Sequence, residues 1–266
     1  HFASGTHTLA CALFGNLKYG DKLLSVAGTP YDTMQEVIGT MGDEETRRAS
    51  LIGNGVLYEE VPLINNTEID FNKLEQMVDE KTTMVLIQRS KGYSTRKSLT
   101  VDTIEKICSI VKSKNPNCIC FVDNCYGEFV DKKEPLEVGA DLMAGSLIKN
   151  AGGGIVEAGG YIAGKELYVE RSAVRLTAPG IGSEGGAMFN QHRLMFQGLF
   201  MAPSVVCDAV KGAVLASKIF DEIGYDSSPK YNEKRTDIIQ NITFGAPEPL
   251  EEFCRTIQSL SPVNGY

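Results

Sequence analysis

No run of apolar residues approaches the roughly 20 that a membrane-crossing helix needs, and no basic segment leading into an apolar core opens the sequence. The expectation is a cytoplasmic protein with no membrane partner. Positive charge is also scarce: 26 Lys and Arg stand against 34 Asp and Glu, a formal net charge of −8. A surface that tracks a nucleic-acid backbone needs clustered Lys and Arg, so a general nucleic-acid binder is excluded and only local stretches such as Arg89 to Lys97 remain as anion sites. The histidines His1, His7 and His192 are scattered, and Cys118, Cys120 and Cys125 lack the loop-borne spacing of a zinc site, so no metal is expected. No Gly-x-Ser-x-Gly elbow offers a hydrolase serine. Gly159-x4-Gly164-Lys165 almost spells a nucleotide phosphate loop, but Glu166 stands where Ser or Thr must hold magnesium. Glu157 likewise occupies the third glycine position of a dinucleotide fingerprint begun at Gly152. No internal repeat or low-complexity tract is present.

What is present is ordinary globular composition, 42% hydrophobic and 23% charged over 266 residues, enough for a large α/β core. Seven cysteines, an odd number and several of them in expected core elements, read as reduced thiols. Against this background one lysine is out of place. Lys149 ends the apolar run from Ala140 and leads directly to Gly152-Gly153-Gly154, where backbone can approach a ligand closely. It is either a strand-end lysine reaching solvent or an amine that forms a Schiff base with a carbonyl. Upstream, Cys118 to Val122 reads as a fully buried strand that delivers Asp123 to its carboxyl end. That aspartate either caps the following turn or holds a pyridinium nitrogen protonated. At the chain start, Ser4-Gly5-Thr6 opens a helix whose free N–H groups make either a plain N-cap or a phosphate cradle. Ser146, three residues before Lys149, can reach the same phosphate.

Together these parts resemble the fold-type I pyridoxal-phosphate enzymes of cysteine and methionine metabolism. The runs Phe121 to Phe129, Ala144 to Asn150, Arg175 to Gly182 and Gln197 to Pro203 are similar to the bacterial aluminium resistance or methionine gamma-lyase family proteins, and the similarity covers nearly the whole chain. The resemblance implies a three-layer α/β large domain over 1–203 with a mainly parallel mixed sheet, lacking its N-terminal arm. It also implies a linking helix and part of a smaller α+β domain over 204–266, within a longer polypeptide. The implied cofactor is pyridoxal 5'-phosphate, held by Lys149, with Asp123 at the ring nitrogen and Tyr31 stacked on the ring. Gly5, Thr6 and Ser146 would bind its phosphate. The implied activity is a lyase that eliminates the side-chain substituent of a sulfur-containing amino acid, with Lys149 and Tyr31 as the catalytic pair. Group transfer, transamination and a non-catalytic stress-response role remain open. The family further implies a homodimer or homotetramer, and a substrate-carboxylate arginine outside this chain.

Periodicity supplies the order of elements. Helices are expected over Thr6 to Lys18, from Met34, over Asp70 to Lys81, Val101 to Lys114, Glu166 to Arg175, Glu184 to Leu199 and Val205 to Gly224. Strands are expected over Lys22 to Val26, Val56 to Val61, Thr83 to Ile87, Cys118 to Val122 and the run before Lys149. The short strand Gly159 to Gly164 should pair antiparallel with that run. Gly39 to Gly53 reads as a mobile polar loop, and a last strand and helix are expected over Ile238 to Phe244 and Pro249 to Leu260. Gln88 at a strand end is a further site candidate, near the ring hydroxyl by the resemblance, and Pro262 to Gly265 reads as a turn leading onward.

Overall fold

The computed structural model describes residues 1–261, so the turn expected over Pro262 to Gly265 lies outside the described residues. Two compact units divide the chain: 1–210 with 235–239, and 211–234 with 240 onward.

The first unit is built on a six-stranded sheet in the order β2-β1-β5-β6-β7-β8. Its strands are β1 (Lys22–Ser25), β2 (Leu57–Glu60), β5 (Thr82–Gln88), β6 (Ile119–Asp123), β7 (Leu142–Ser146) and β8 (Gly160–Gly164). All neighbours pair parallel except β8, which runs antiparallel to β7 with Ser146 opposite Gly160. The short connection after Lys149 forces that reversal, because a parallel return needs a crossover of a dozen or more residues. β6 is buried at every position, as a strand covered on both faces should be.

Alternate side chains of the central strands point into two separate cores. Leu24, Val85, Ile87, Cys120 and Val122 meet α4 (Phe71–Met77) and α5 (Val101–Lys114) on one face. Leu23, Met84, Leu86, Phe121, Leu142 and Ala144 meet α1 (Gly5–Asn16), α2 (Asp32–Ile38) and α6 (Glu166–Leu176) on the other. The result is a three-layer α/β sandwich, the expected class. The starts of α1, α4 and α5 carry a local signal: Ser4, Asp70 and Thr100 accept from the N–H three residues on, at 3.1, 2.8 and 3.1 Å.

Several boundaries differ from the periodicity. The segment expected as a loop over Gly39 to Gly53 contains a short helix, α3 (Glu44–Arg48), because Asp43 caps it and Thr46 N–H donates to Asp43 Oδ1 at 2.8 Å. Leu63–Ile64 (β3) and Glu68–Ile69 (β4) form a small hairpin that the pattern did not suggest. No helix forms over Glu184 to Gln191, where Gly186 holds φ 137°, Phe189 φ 46° and Asn190 φ 61°. Instead one continuous helix, α7 (His192–Glu222), spans what was expected as two, with Pro203 inside it. Proline removes a single backbone hydrogen bond, and the fully buried Ala202 and nearly buried Val206 on either side hold the turn in place.

The second unit comprises the end of α7, the antiparallel pair β9 (Asp226–Ser228) and β10 (Asn241–Thr243), and α8 (Pro247–Leu260). Its centre is a ring cluster of Phe220, Tyr225, Phe244 and Phe253, with centroids 5.0 to 6.1 Å apart and mostly edge-on.

Candidate active site

The site lies at the carboxyl edge of β5, β6 and β7, where an open α/β sheet presents its loops. β6 ends on Asp123, paired with Gln88 of β5 and Ala144 of β7. Asp123 is 4% exposed, and the N–H of Cys125 donates to its Oδ1 at 3.1 Å. Burial pushes this carboxyl group upward, against the Cys125 hydrogen bonds and the charges of Lys149 and Arg96. Lys149, half-buried, follows β7 at the start of a 3₁₀ turn (Asn150–Gly152). Its Nζ sits 4.1 Å from the centroid of the Tyr126 ring. Burial works against its positive charge, but Cys125, Tyr126 and Asp123 outweigh burial and hold the amine above its ordinary range. A lysine activated by a lowered pKa is therefore not what the protein alone presents; the surrounding acids keep the proton on it.

Tyr31 stands at the entry to α2, and its N–H donates to Gln88 Oε1 at 3.1 Å. Burial and the charge of Asp123 raise its phenol, while a hydrogen bond with the Thr6 hydroxyl works in the other direction. Tyr31 therefore lies near both Asp123 and Thr6. Gln88 contributes by seating Tyr31.

The opening of α1 meets the end of β7 so closely that a Cβ on Gly5 would lie 2.6 Å from Ser146 Cβ and 2.9 Å from its Oγ. Of the first four amides of α1, His7 N–H is taken by Ser4 Oγ and Thr8 N–H by Ser4 O at 3.1 Å each. Those of Gly5 and Thr6 have no acceptor within the helix and carry the positive end of its dipole beside Ser146. All six residues singled out from the sequence, Gly5, Thr6, Tyr31, Asp123, Ser146 and Lys149, therefore converge on one end of the sheet.

The other residues named from the sequence have their own places. Arg89 is no anion site: it is fully buried, with Nη1 donating to Asn124 Oδ1 at 2.8 Å and paired with Glu134 at 3.3 Å. His7 accepts from Ala3 N–H at 3.1 Å, a capping role. All seven cysteines are free thiols, five of them buried.

Tyr126 and Arg96 were missed. Tyr126 holds φ 70°, a left-handed conformation costly for a bulky side chain, and it places its ring under Lys149. Arg96 is 2% exposed, donates to the carbonyls of Gln88 and Ser90 at 2.7 and 2.8 Å, and lies within reach of Asp123 and Asp237. Burial lowers it to about 10. Asp237 itself accepts from the hydroxyls of Ser90 and Ser98, so the segment 235–239 is stitched onto this edge. A tyrosine and an arginine in polar loops carry no periodicity, so only the fold identifies them.

A mainly parallel sheet with one antiparallel edge, with a lysine after one strand and an aspartate ending its neighbour, is the architecture expected from the resemblance to the fold-type I class. Similarity agrees, and the chain belongs to the methionine gamma-lyase family, whose model matches residues 1–266. It is 46% identical over 99% of its length to the uncharacterized protein YnbB of Bacillus subtilis, covering 62% of that protein. It is 48% identical, with a TM-score of 0.94, to a carbon–sulfur lyase involved in aluminium resistance from Clostridium novyi NT, covering 100% of this chain and 63% of that one. The pyridoxal-5'-phosphate dependent protein YhfS from Escherichia coli, at 19% identity and a TM-score of 0.66, shares the fold; the match covers 99% of this chain and 66% of that one. The chain spans less than two thirds of the length of the first two relatives.

Proposed function

We propose that this chain is the cofactor-binding part of a pyridoxal-phosphate-dependent lyase that releases the side-chain substituent of a sulfur-containing amino acid. The observation that carries this reading is the meeting of a buried carboxylate, Asp123, and an amine, Lys149, close enough for each charge to act on the other. The site also fits the shape of the group. Gly5, with no side chain, lets the start of α1 come against Ser146, the amides of Gly5 and Thr6 suit a phosphate there, and Tyr31 offers a flat ring beside Asp123.

When bound, pyridoxal phosphate supplies an aldehyde and an electron-accepting ring. Lys149 Nζ would hold that aldehyde and, once released by the substrate amine, carry protons at the α and neighbouring carbons. Asp123 would keep a proton on the ring nitrogen, and a cationic partner there offsets the cost of burying this carboxylate. The amides of Gly5 and Thr6 and the Ser146 hydroxyl would bind the phosphate, and Tyr31 would cover one face of the ring. Elimination is preferred to transfer or transamination on family membership. A homodimer or homotetramer and a cytoplasmic site of action belong to the same proposal.

The test is borohydride reduction of the full chain loaded with pyridoxal phosphate, followed by mass analysis of the peptide containing Lys149. A phosphopyridoxyl group on that residue, absent in Lys149→Ala, is the expected result; attachment elsewhere or nowhere rejects it. Release of keto acid and ammonia from a panel of sulfur amino acids separates elimination from transamination.

A further inference from the structure

The face of β7 turned away from Gly5 carries a second polar cluster that the proposed chemistry does not use. Glu128 is 3% exposed and follows Asp123 through a turn in which Tyr126 and Phe129 both adopt positive φ, 70° and 63°. The Tyr161 hydroxyl on β8 donates to Glu128 Oε1 at 2.8 Å, and Asn124 Nδ2 donates to the Tyr161 oxygen at 3.2 Å. Gly145 admits this pair: a Cβ there would lie 2.6 Å from Tyr161 Cε1 and overlap Glu128 Oε1. The main-chain carbonyl of Glu128 accepts from Asn150 Nδ2 at 3.0 Å, and Asn150 is the residue directly after Lys149. One residue thus touches the chain on both sides of the lysine.

We propose that Glu128 is a positioning residue for Lys149: its carbonyl holds Asn150, and its carboxyl group, paired with Tyr161, seats against Gly145. The turn that presents the amine is then gripped before and after the lysine. The inference rests on the reading of Lys149 as the cofactor lysine.

The surroundings specify the protonation state at which the grip works. Glu128 borders a cavity of about 470 Å³ walled by Met143, Leu147, Met195, Phe196 and Leu199, and its Oε2 has no hydrogen-bond partner among the described residues. Asp123 from β6 and Glu134 add negative charge, Cys125 and Tyr161 lie against it, and His192 of α7 shares the cavity. Arg89 is directed at Asn124 and Glu134. Burial first, with the Glu134 and Asp123 charges behind it, pushes Glu128 up to about 8 against its own backbone hydrogen bond and the one from Tyr161, both of which favour the carboxylate; burial prevails, so the neutral acid is the form present beside Tyr161 at neutral pH. The stability this gives is complete below the unfolded carboxyl value and is lost as pH rises through about 8.

The experiment uses the full chain loaded with pyridoxal phosphate and the variants Glu128→Gln, Glu128→Ala and Tyr161→Phe. Its readouts are circular dichroism in the cofactor absorption band at about pH 6.5 and about pH 9, borohydride fixation at Lys149, and melting temperature against pH. Glu128→Gln, an uncharged mimic of the neutral acid, is expected to keep the wild-type dichroism at the lower pH and to lack the wild-type change at the higher one. The melting temperature of the wild type should fall relative to Glu128→Gln as pH rises toward about 8. Glu128→Ala and Tyr161→Phe should still be fixed at Lys149 but lose about half or more of the dichroism, since a misplaced amine tilts the cofactor. Wild-type dichroism in both at both pH values overturns the inference; if Glu128→Ala does not fold, Tyr161→Phe decides alone. Failure to fix cofactor on wild-type Lys149 overturns the proposed function itself, and this inference falls with it.

Discussion

At the scale of single residues, the site is a competition between burial and charge. Burial wins at Asp123, which is raised although Lys149 and Arg96 are near, and charge wins at Lys149, which keeps its proton although half-buried. The two results share one cause, a shortage of positive charge beside a sealed carboxylate, which the protonated ring nitrogen of the proposed cofactor would supply. Asp123→Asn removes the carboxylate but keeps its shape. It is expected to lower lyase turnover by about 10²–10³-fold, the cost of losing one preorganised electrostatic partner, while leaving cofactor fixation at Lys149 intact. Its melting temperature should not fall, because an uncompensated buried acid is removed. Turnover assays beside thermal melts of the two proteins check both halves.

Asp141, at the opposite end of β7, shows the reverse balance. It accepts from Cys120 N–H at 2.8 Å and is paired with Lys112 and Lys165 at 2.6 Å each. Burial raises it, but the two lysines prevail and hold it below the usual carboxylate range. Asp141→Asn should cost about 2 kcal/mol at neutral pH, the scale of hydrogen bonds to a charged group. A depressed carboxyl contributes above its unfolded value and loses that contribution as pH falls through the folded one. The wild-type advantage in denaturant titrations should therefore shrink toward strongly acidic pH.

At the scale of elements, the lysine turn is placed by α7 as much as by β7. Gly198 of α7 packs onto the carbonyl of Gly152 so closely that an added Cβ would overlap it and lie 2.8 Å from Val156 Cγ2. Alanine in place of a helical glycine ordinarily stabilises by about 1 kcal/mol. Here Gly198→Ala is expected to destabilise by about 1–3 kcal/mol through overpacking, a reversal of sign that chemical denaturation can read. The same elements show what was legible beforehand. Apolar runs bounded by loops gave β5, β6 and β7 to within a residue or two, because a strand buried on both faces has few other compositions. The end of one helix and the start of the next were not legible around 184–205. Glutamate and apolar spacing suggest a helix over Glu184 to Leu199, and Pro203 suggests a break, yet glycines unwind the first and packing carries α7 through the second.

At the scale of the whole molecule, α7 bears on both solubility and assembly. Its 31 residues include an 18-residue window of mean hydropathy 1.6 that is only 17% buried, so by length and composition alone one helix among the described residues could cross a membrane. The expectation that nothing of that kind exists is revised accordingly. Among its exposed apolar side chains, Phe196, Leu199 and Phe200 stand one helical turn apart and are 72, 48 and 87% exposed. A contiguous exposed patch of this sort marks an interaction surface, and the proposed homo-oligomer is its natural occupant. The double substitution Phe196→Glu and Phe200→Glu should shift the full chain toward monomer in light scattering. An unchanged mass would remove α7 from the interface.

Local chemistry in the sequence determined the candidates: a lysine between an apolar strand and three glycines, an aspartate at a strand end, a capped helix start, a tyrosine before α2. Strand order decided that they meet, since β6 and β7 are neighbours and α1 closes on Ser146 through a glycine with no side chain to keep it away. Tyr126, Arg96 and Glu128 became visible only in three dimensions. Each owes its place to partners far along the chain or to a backbone conformation that residue type does not predict, and polar residues in loops have no repeat by which to be recognised.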